Sequence, residues 1–224
     1  KIKKLKKKKV ILEREKKSAR KKQINYRRSA TKKTRQLTYV RQEKKRILKV
    51  VEKLRADARS LNWLIKKLEK QSPYRKKKKY RLPISKHSLP WPLYGRVVSK
   101  FGKERIEKLQ TWLVREGIKI ETEKNKAVFP VADGEVIYAG HFRSYGNVII
   151  ISHERNFSSI YGMLSSINVR RGEKVSLNTL IGRAGKDTQE IYVKNTSNSK
   201  SVLYFEIRIG VQAVNPLDWL RPNR

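Results

Sequence analysis

NKAVFPVADGEVIYAG, residues 125–140, carries apolar residues into an Asp133-Gly134 turn and out again through Val136, Ile137 and Tyr138. Short apolar runs separated by Asp-Gly are the pattern of antiparallel strands joined by tight turns. The same reading extends outward to GRVVSKFG (95–102), YGNVIIISHE (145–154), FSSIYGML (157–164), VRRGEKVSLNTLIGRAG (169–185) and SVLYFEIRIG (201–210). Turns are expected at Tyr145-Gly146-Asn147, Arg171-Gly172 and Gly182 to Gly185, and Lys103–Glu116 reads as a helix or a structured insertion. Residues 93–221 are therefore expected to form a mainly β domain with an antiparallel sheet, long enough for its own core.

Upstream the period changes. Residues 1–70 contain neither Pro nor Gly, which favours one long helix. Positions 2, 5, 9, 12, 16, 19, 23, 26, 30, 33, 37, 40, 44, 47, 51, 54, 58, 61, 65 and 68 follow alternating spacings of three and four without a slip. From Ile47 to Leu68 every one of them is apolar, whereas Lys or Gln interrupts the earlier part. This is a heptad seam, and it predicts a basic coiled-coil helix over 1–70 that needs a partner helix to bury its stripe. At about 1.5 Å per residue it would run roughly 100 Å. Residues 71–92 read as a linker, with Pro73, Pro83, Pro90 and Pro92 stopping the helix and a hydrated basic run at Arg75–Lys79.

The 224 residues hold 57 Lys and Arg against 19 Asp and Glu, a net charge of +38. Residues 1–80 have 34 basic and 6 acidic side chains, so most of the excess lies in the first third of the chain. Such a segment seeks phosphate, anionic lipid or an acidic protein surface. No nucleic-acid motif accompanies it, and aromatics are not interleaved with the basic runs, so no specific nucleic acid is expected as a partner. With no Cys there is no thiolate metal site, disulfide or Cys nucleophile. No apolar run approaches the ~20 residues that span a bilayer. The chain begins at Lys1 and shows no signal peptide, and it is read as a processed or truncated product.

The segments LPWPLYGRVVSKFG, GIKI, VFPVADGEVIYAG, YGNVIIISH, YGMLSSINVRRGEKVSLNTLIGRAG, LYFEIR and AVNPLDWL, in this order, resemble the LytM domain of lysostaphin-type zinc endopeptidases. The resemblance implies that fold over about residues 89–221. It also implies where zinc ligands would stand: a His and an Asp four residues apart, the second His of an HxH strand, and a further His beside the metal. Here Arg115 and Lys119 occupy the first pair of positions, Met163 the accessory His, and Val202 and Tyr204 the two His of the strand. Catalytic zinc needs about three His, Asp or Glu ligands, and cations beside it oppose binding. His87, His141 and His153 pair with no ligand at a metal spacing. Ser158, Ser159, Ser165 and Ser166 have no His close in sequence, which argues against a Ser nucleophile, and Glu206 reads as a hydrogen-bonding or ion-pair residue. No catalytic residue, metal or cofactor is expected.

A long helix joined to a LytM domain with Tyr at the ligand position is similar to the EnvC-type activators of bacterial cell division. That similarity implies a non-catalytic regulator in the periplasm or cell envelope, which binds an N-acetylmuramoyl-L-alanine amidase through the zinc-less groove and docks its coiled coil on an FtsE–FtsX-type membrane complex. On this reading Lys119, Tyr145, Val148, Met163, Val202, Tyr204 and Arg208 line the partner-binding groove, and Lys103–Glu116 is the candidate for a helix covering it. The rival is a structural envelope protein that holds peptidoglycan through the same groove. The excess positive charge of the arm departs from the mixed charge usual in these activators, and contact with anionic lipid or wall polymers would account for it.

Overall fold

The computed structural model describes residues 2–71, 85–106, 111–154, 157–188 and 200–222. A single helix, α1, runs from Ile2 to Gln71. By contact the chain divides into two compact units, Lys1–Lys49 and Val50–Arg224, so the boundary falls inside α1. Pro73, Pro83 and the basic run 75–79 of the expected linker lie outside the described residues.

In the second unit the strands are β1 (Arg96–Ser99), β2 (Gly102–Ile106), β3 (Thr111–Arg115), β4 (Ile118–Glu123), β5 (Ala127–Val128), β6 (Gly134–His141), β7 (Asn147–His153), β8 (Phe157–Ile167), β9 (Lys174–Val175), β10 (Gly182–Ala184), β11 (Lys200–Ile209) and β12 (Gln212–Val214). Among the described residues the main sheet runs β1-β4-β11-β8-β7-β6-β9, with β12 on β11 and β10 bridging β8 and β5. Every pairing between these strands is antiparallel. Of the two readings of Lys103–Glu116, the described residues bear out the structured insertion and not the helix: β2 and β3 pair antiparallel, Gly102 opposite Arg115 and Glu104 opposite Leu113.

Side chains alternate across a strand, so the sheet has two faces, and here both are buried. Ile149 and Ile151 of β7, Tyr161 of β8 and Leu203, Phe205 and Ile207 of β11 face the main core with Ile118, Val136 and Ile181. The residues between them, Val148, Ile150, Ile160, Val202 and Tyr204, face the other way. A strand apolar on both faces needs a cover on each. The second cover is α1: Leu61, Ile65 and Leu68 pack on Val148, Ile150, Ile160, Met163 and Tyr204 as one cluster. The expectation that this part of the seam requires a partner helix is therefore corrected. Between Leu61 and Leu68 the stripe is buried by the chain's own sheet, because Leu61, Ile65 and Leu68 recur on one side of α1 and the sheet offers an equally apolar face.

Candidate functional site

The covered face is where the sequence places the candidate residues. β4 and β11 bring Lys119 directly opposite Tyr204. β11 also pairs with β8, which sets Tyr204 beside Gly162. Met163 follows at φ +61, a left-handed conformation that costs a non-glycine residue on the order of 1 kcal/mol. The register of β8 shifts at this point, three residues against two on β7, and the shift turns Met163 onto the same face as Ile160. Tyr145, in the turn Arg143–Tyr145, stacks edge-on against Tyr204 with ring centroids 5.0 Å apart. Gly117 lets the Tyr204 ring come close: a Cβ there would sit 2.8 Å from its Cζ and 2.5 Å from the Phe205 carbonyl oxygen.

Two polar clusters are built into this face. In the first, the Lys119 ammonium donates to both carboxylate oxygens of Asp187, at 2.8 and 2.7 Å. In the second, the Tyr204 hydroxyl donates to Glu206 Oε2 at 2.6 Å, while the other oxygen of Glu206 accepts from Arg208 Nε. Arg208 Nη1 donates to the Val211 carbonyl at 3.0 Å, and Nη2 donates to Glu116 Oε2 at 2.7 Å and to Asn62 Oδ1 on α1. Asn62 Nδ2 returns a bond to Glu116 Oε1 at 3.0 Å. Burial pushes the Glu206 carboxyl up to about 7 against the pull of the Arg208 guanidinium. Burial, and after it the Glu206 charge, hold the Tyr204 phenol well above its ordinary value.

The helix is clasped at further points. Arg55 donates to the Trp112 carbonyl at 2.7 Å, and Arg143 pairs with Asp57 at 3.5 Å. Between α1 and β3 a cavity of about 400 Å³ remains, lined by Arg55, Asn62, Trp112, Lys119, Tyr145 and Tyr204 among others.

The structure brings Lys119, Tyr145, Val148, Met163, Val202, Tyr204 and Arg208 to one face, but none of them lies open. Val148 and Met163 are packed inside the cluster with α1, Lys119 is buried with Asp187, and Arg208 is 2% exposed. Arg115 lines the cavity, yet its guanidinium is engaged by Glu104 across the hairpin. The segment over the groove is residues 61–68 of α1, not Lys103–Glu116. Asp187, Glu116 and Asn62 were missed by sequence reasoning. Asn62 follows Leu61 on the seam, but nothing periodic marks Asp187, 68 residues from Lys119.

A Ser–His contact does form. His153 and Ser159, six residues apart, are joined at 2.6 Å between Nε2 and Oγ, and His153 Nδ1 lies 2.9 Å from the Asp133 carbonyl oxygen. Ser159 is wholly buried, its Oγ lies 2.9 Å from the Tyr161 hydroxyl oxygen, and that oxygen also accepts from the Val131 N–H at 3.0 Å. Burial lowers His153 to about 4, and its ring stacks on Phe157 at 4.3 Å. The pair is a satisfied core contact with no access for a substrate.

Residues 114–216 match the model of Peptidase family M23. The β domain is thus a peptidase M23 (LytM) domain preceded by a long helical arm. Over 131 residues the chain is 34% identical to the murein hydrolase activator NlpD of Escherichia coli K12, covering 58% of this chain and 30% of that protein. Over 130 residues it is 33% identical to the murein hydrolase activator EnvC of the same organism, covering 58% and 28%. The chain therefore spans about a third or less of the curated relatives it matches. A zinc-containing peptidase from Vibrio cholerae shares the fold, with a TM-score of 0.51 at 22% identity over 61% of this chain and 41% of that one. The residues at the ligand positions do not fit that metal. A zinc ion would face the Lys119 ammonium, already seated on Asp187, and a phenol whose proton is committed to Glu206.

Proposed function

We propose that this chain is a non-catalytic activator of a peptidoglycan amidase, acting in the cell envelope through the former metal groove. The observation that carries the reading is that the face bearing Val202, Tyr204, Met163 and Tyr145 already holds a helix through Leu61, Ile65 and Leu68. A groove that seats one amphipathic helix is suited to exchange it for another, with aromatic and Arg anchors giving most of the affinity. Similarity to two murein hydrolase activators supports the same role. In the resting chain α1 occupies the groove, so activation requires the helix to leave and an amidase segment to take its place. The arm would dock on a division complex of the FtsE–FtsX type.

The test is release of dye from labelled peptidoglycan by the chain alone, by a periplasmic N-acetylmuramoyl-L-alanine amidase alone, and by both. Release above the amidase's own rate is expected only in the mixture, and Tyr204→Ala should abolish the gain. Release by the chain alone would overturn the non-catalytic assignment. No gain in the mixture, with the chain sedimenting on sacculi, would make it a structural wall-binding protein instead.

A further inference from the structure

The first unit presents a different surface. Along residues 2–42 of α1 every side chain is exposed, and the seam residues Ile2, Leu5, Leu12, Tyr26, Leu37 and Val40 are 53–76% accessible. Residues 1–49 carry 23 Lys and Arg against 3 Glu. Over about 1.5 Å per residue that is one net charge every ~4 Å of helix. Lys9, Lys16, Lys33 and Lys44 stand in the seam itself. The positions that flank it and select a partner by charge hold Lys6, Lys8, Arg20, Lys22, Arg27 and Arg41, against Glu13, Glu15 and Glu43.

We infer that this stretch of α1 is a docking surface for an acidic α-helical segment that carries its own heptad seam. Charge selects the acidic partner. A second copy would set seam lysines against seam lysines and an excess of twenty positive charges against another, and like charges at these positions oppose pairing. The period selects a helix over a flat surface. A stripe repeating every seven residues drifts by ~20° per heptad around a straight helix, or roughly 120° across the six heptads between Ile2 and Lys44. A bilayer plane cannot follow that drift, whereas a supercoiling helix does.

The inference concerns the arm and stands apart from the amidase reading of the groove. Its test uses the full chain and a synthetic acidic peptide of about five heptads, with Leu and Ile in the seam and Glu beside it. The control peptide has the same composition with the apolar residues moved off the seam. At physiological salt the seam peptide should bind at least about tenfold tighter than the control. A chain with Leu5→Ser, Leu12→Ser, Leu37→Ser and Val40→Ser should lose that margin while the near-ultraviolet circular dichroism of its β domain stays unchanged. Equal binding of the two peptides would overturn the inference. So would a concentration-dependent dimer in sedimentation without peptide, which would make the occupant a second copy. Binding to phosphatidylglycerol vesicles as tight as to the seam peptide, and indifferent to the four serines, would make it a membrane surface.

Discussion

Replacing Leu61 and Ile65 together by Ala should release α1 from the sheet without unfolding the β domain. Both side chains are 0% exposed, and Leu68 is 6% exposed. Burying each of the three contributes about 1.5–3 kcal/mol, so apolar docking is worth roughly 5–9 kcal/mol. The Arg208–Asn62 bond, made to a charged donor, adds about 1.5–3 kcal/mol. Two truncations to Ala remove roughly two-thirds of the contribution of each side chain, or ~2–4 kcal/mol, before any penalty for the cavity left behind. The docking equilibrium should shift by about 30- to 1000-fold. Native-state hydrogen exchange reads this directly. The backbone amides of residues 54–68 should lose protection by that factor, because an undocked helix so rich in like charge frays. The amides of β11, paired on both sides by β4 and β8, are the internal reference and should hold their protection. Equal loss in α1 and β11 would mean that the helix is inseparable from the global fold. No loss in α1 would mean that its apolar stripe does not hold it. Either result would refute the exchangeable cover.

Two further outcomes are expected. His153, lowered to about 4 in the fold against 6.5 unfolded, binds fewer protons folded than unfolded between those values. Its contribution is complete above pH ~6.5 and is lost as pH falls toward ~4, on the order of 3 kcal/mol in all. Glu206, raised to about 7, has the opposite sign and stabilises the fold on acidification from ~7 to ~4.5, so the difference from His153→Gln is what should be read. In urea unfolding the stability gap between wild type and that variant should narrow steadily from pH 7 to pH 4.5, and parallel pH profiles would show that the imidazole is not held neutral. Lys119→Met should destabilise the domain by about 2–4 kcal/mol by withdrawing the ammonium from Asp187, and adding Asp187→Asn should recover part of the loss. A double variant no more stable than the single would show that the ion pair is not what Lys119 contributes.

The strands were legible because their residues alternate and their turns carry Asp133-Gly134, Gly146 and Gly172, signals contained within a few neighbours. The helix was legible because nothing in residues 1–70 breaks it. Lys103–Glu116 left helix and structured insertion both open, since a half-exposed strand pair mixes charged and apolar residues without strict alternation, and short windows of it fit a helical period as well. The cover over the groove was half-legible. Val148 to Ile151 form an unbroken apolar run, which requires burial on both faces of β7, and Leu61, Ile65 and Leu68 form a stripe that requires a surface. What joins the two is the path of the chain between them, and no local pattern encodes it. Met163 illustrates the same limit: simple alternation from Ile160 puts it on the wrong face, and only the register shift between β7 and β8 corrects this. The pairing of Lys119 with Asp187 left no trace in spacing at all.

The charges under α1 have a consequence for how the helix sits. An apolar groove alone accepts an apolar stripe in several registers, each a turn apart, at similar free energy. A buried guanidinium does not, because leaving one of its protons without an acceptor costs far more than moving a methyl group between equivalent pockets. Arg208 takes one acceptor from its own strand, Glu206, a second from Glu116 between β3 and β4, a third from the Val211 carbonyl, and needs Asn62 Oδ1 for the rest of Nη2. A slide of one turn along α1 would bring residue 58, 59, 65 or 66 to that place, and these are Ala, Arg, Ile and Lys. None of the four side chains accepts a hydrogen bond, and two carry a positive charge toward Arg208. The polar network thus sets the register that the leucines and isoleucine cannot set by themselves. The same condition falls on any helix that replaces α1: apolar residues spaced as Leu61, Ile65 and Leu68 are would fill the groove, but only a helix with an acceptor at the position of Asn62 would satisfy it.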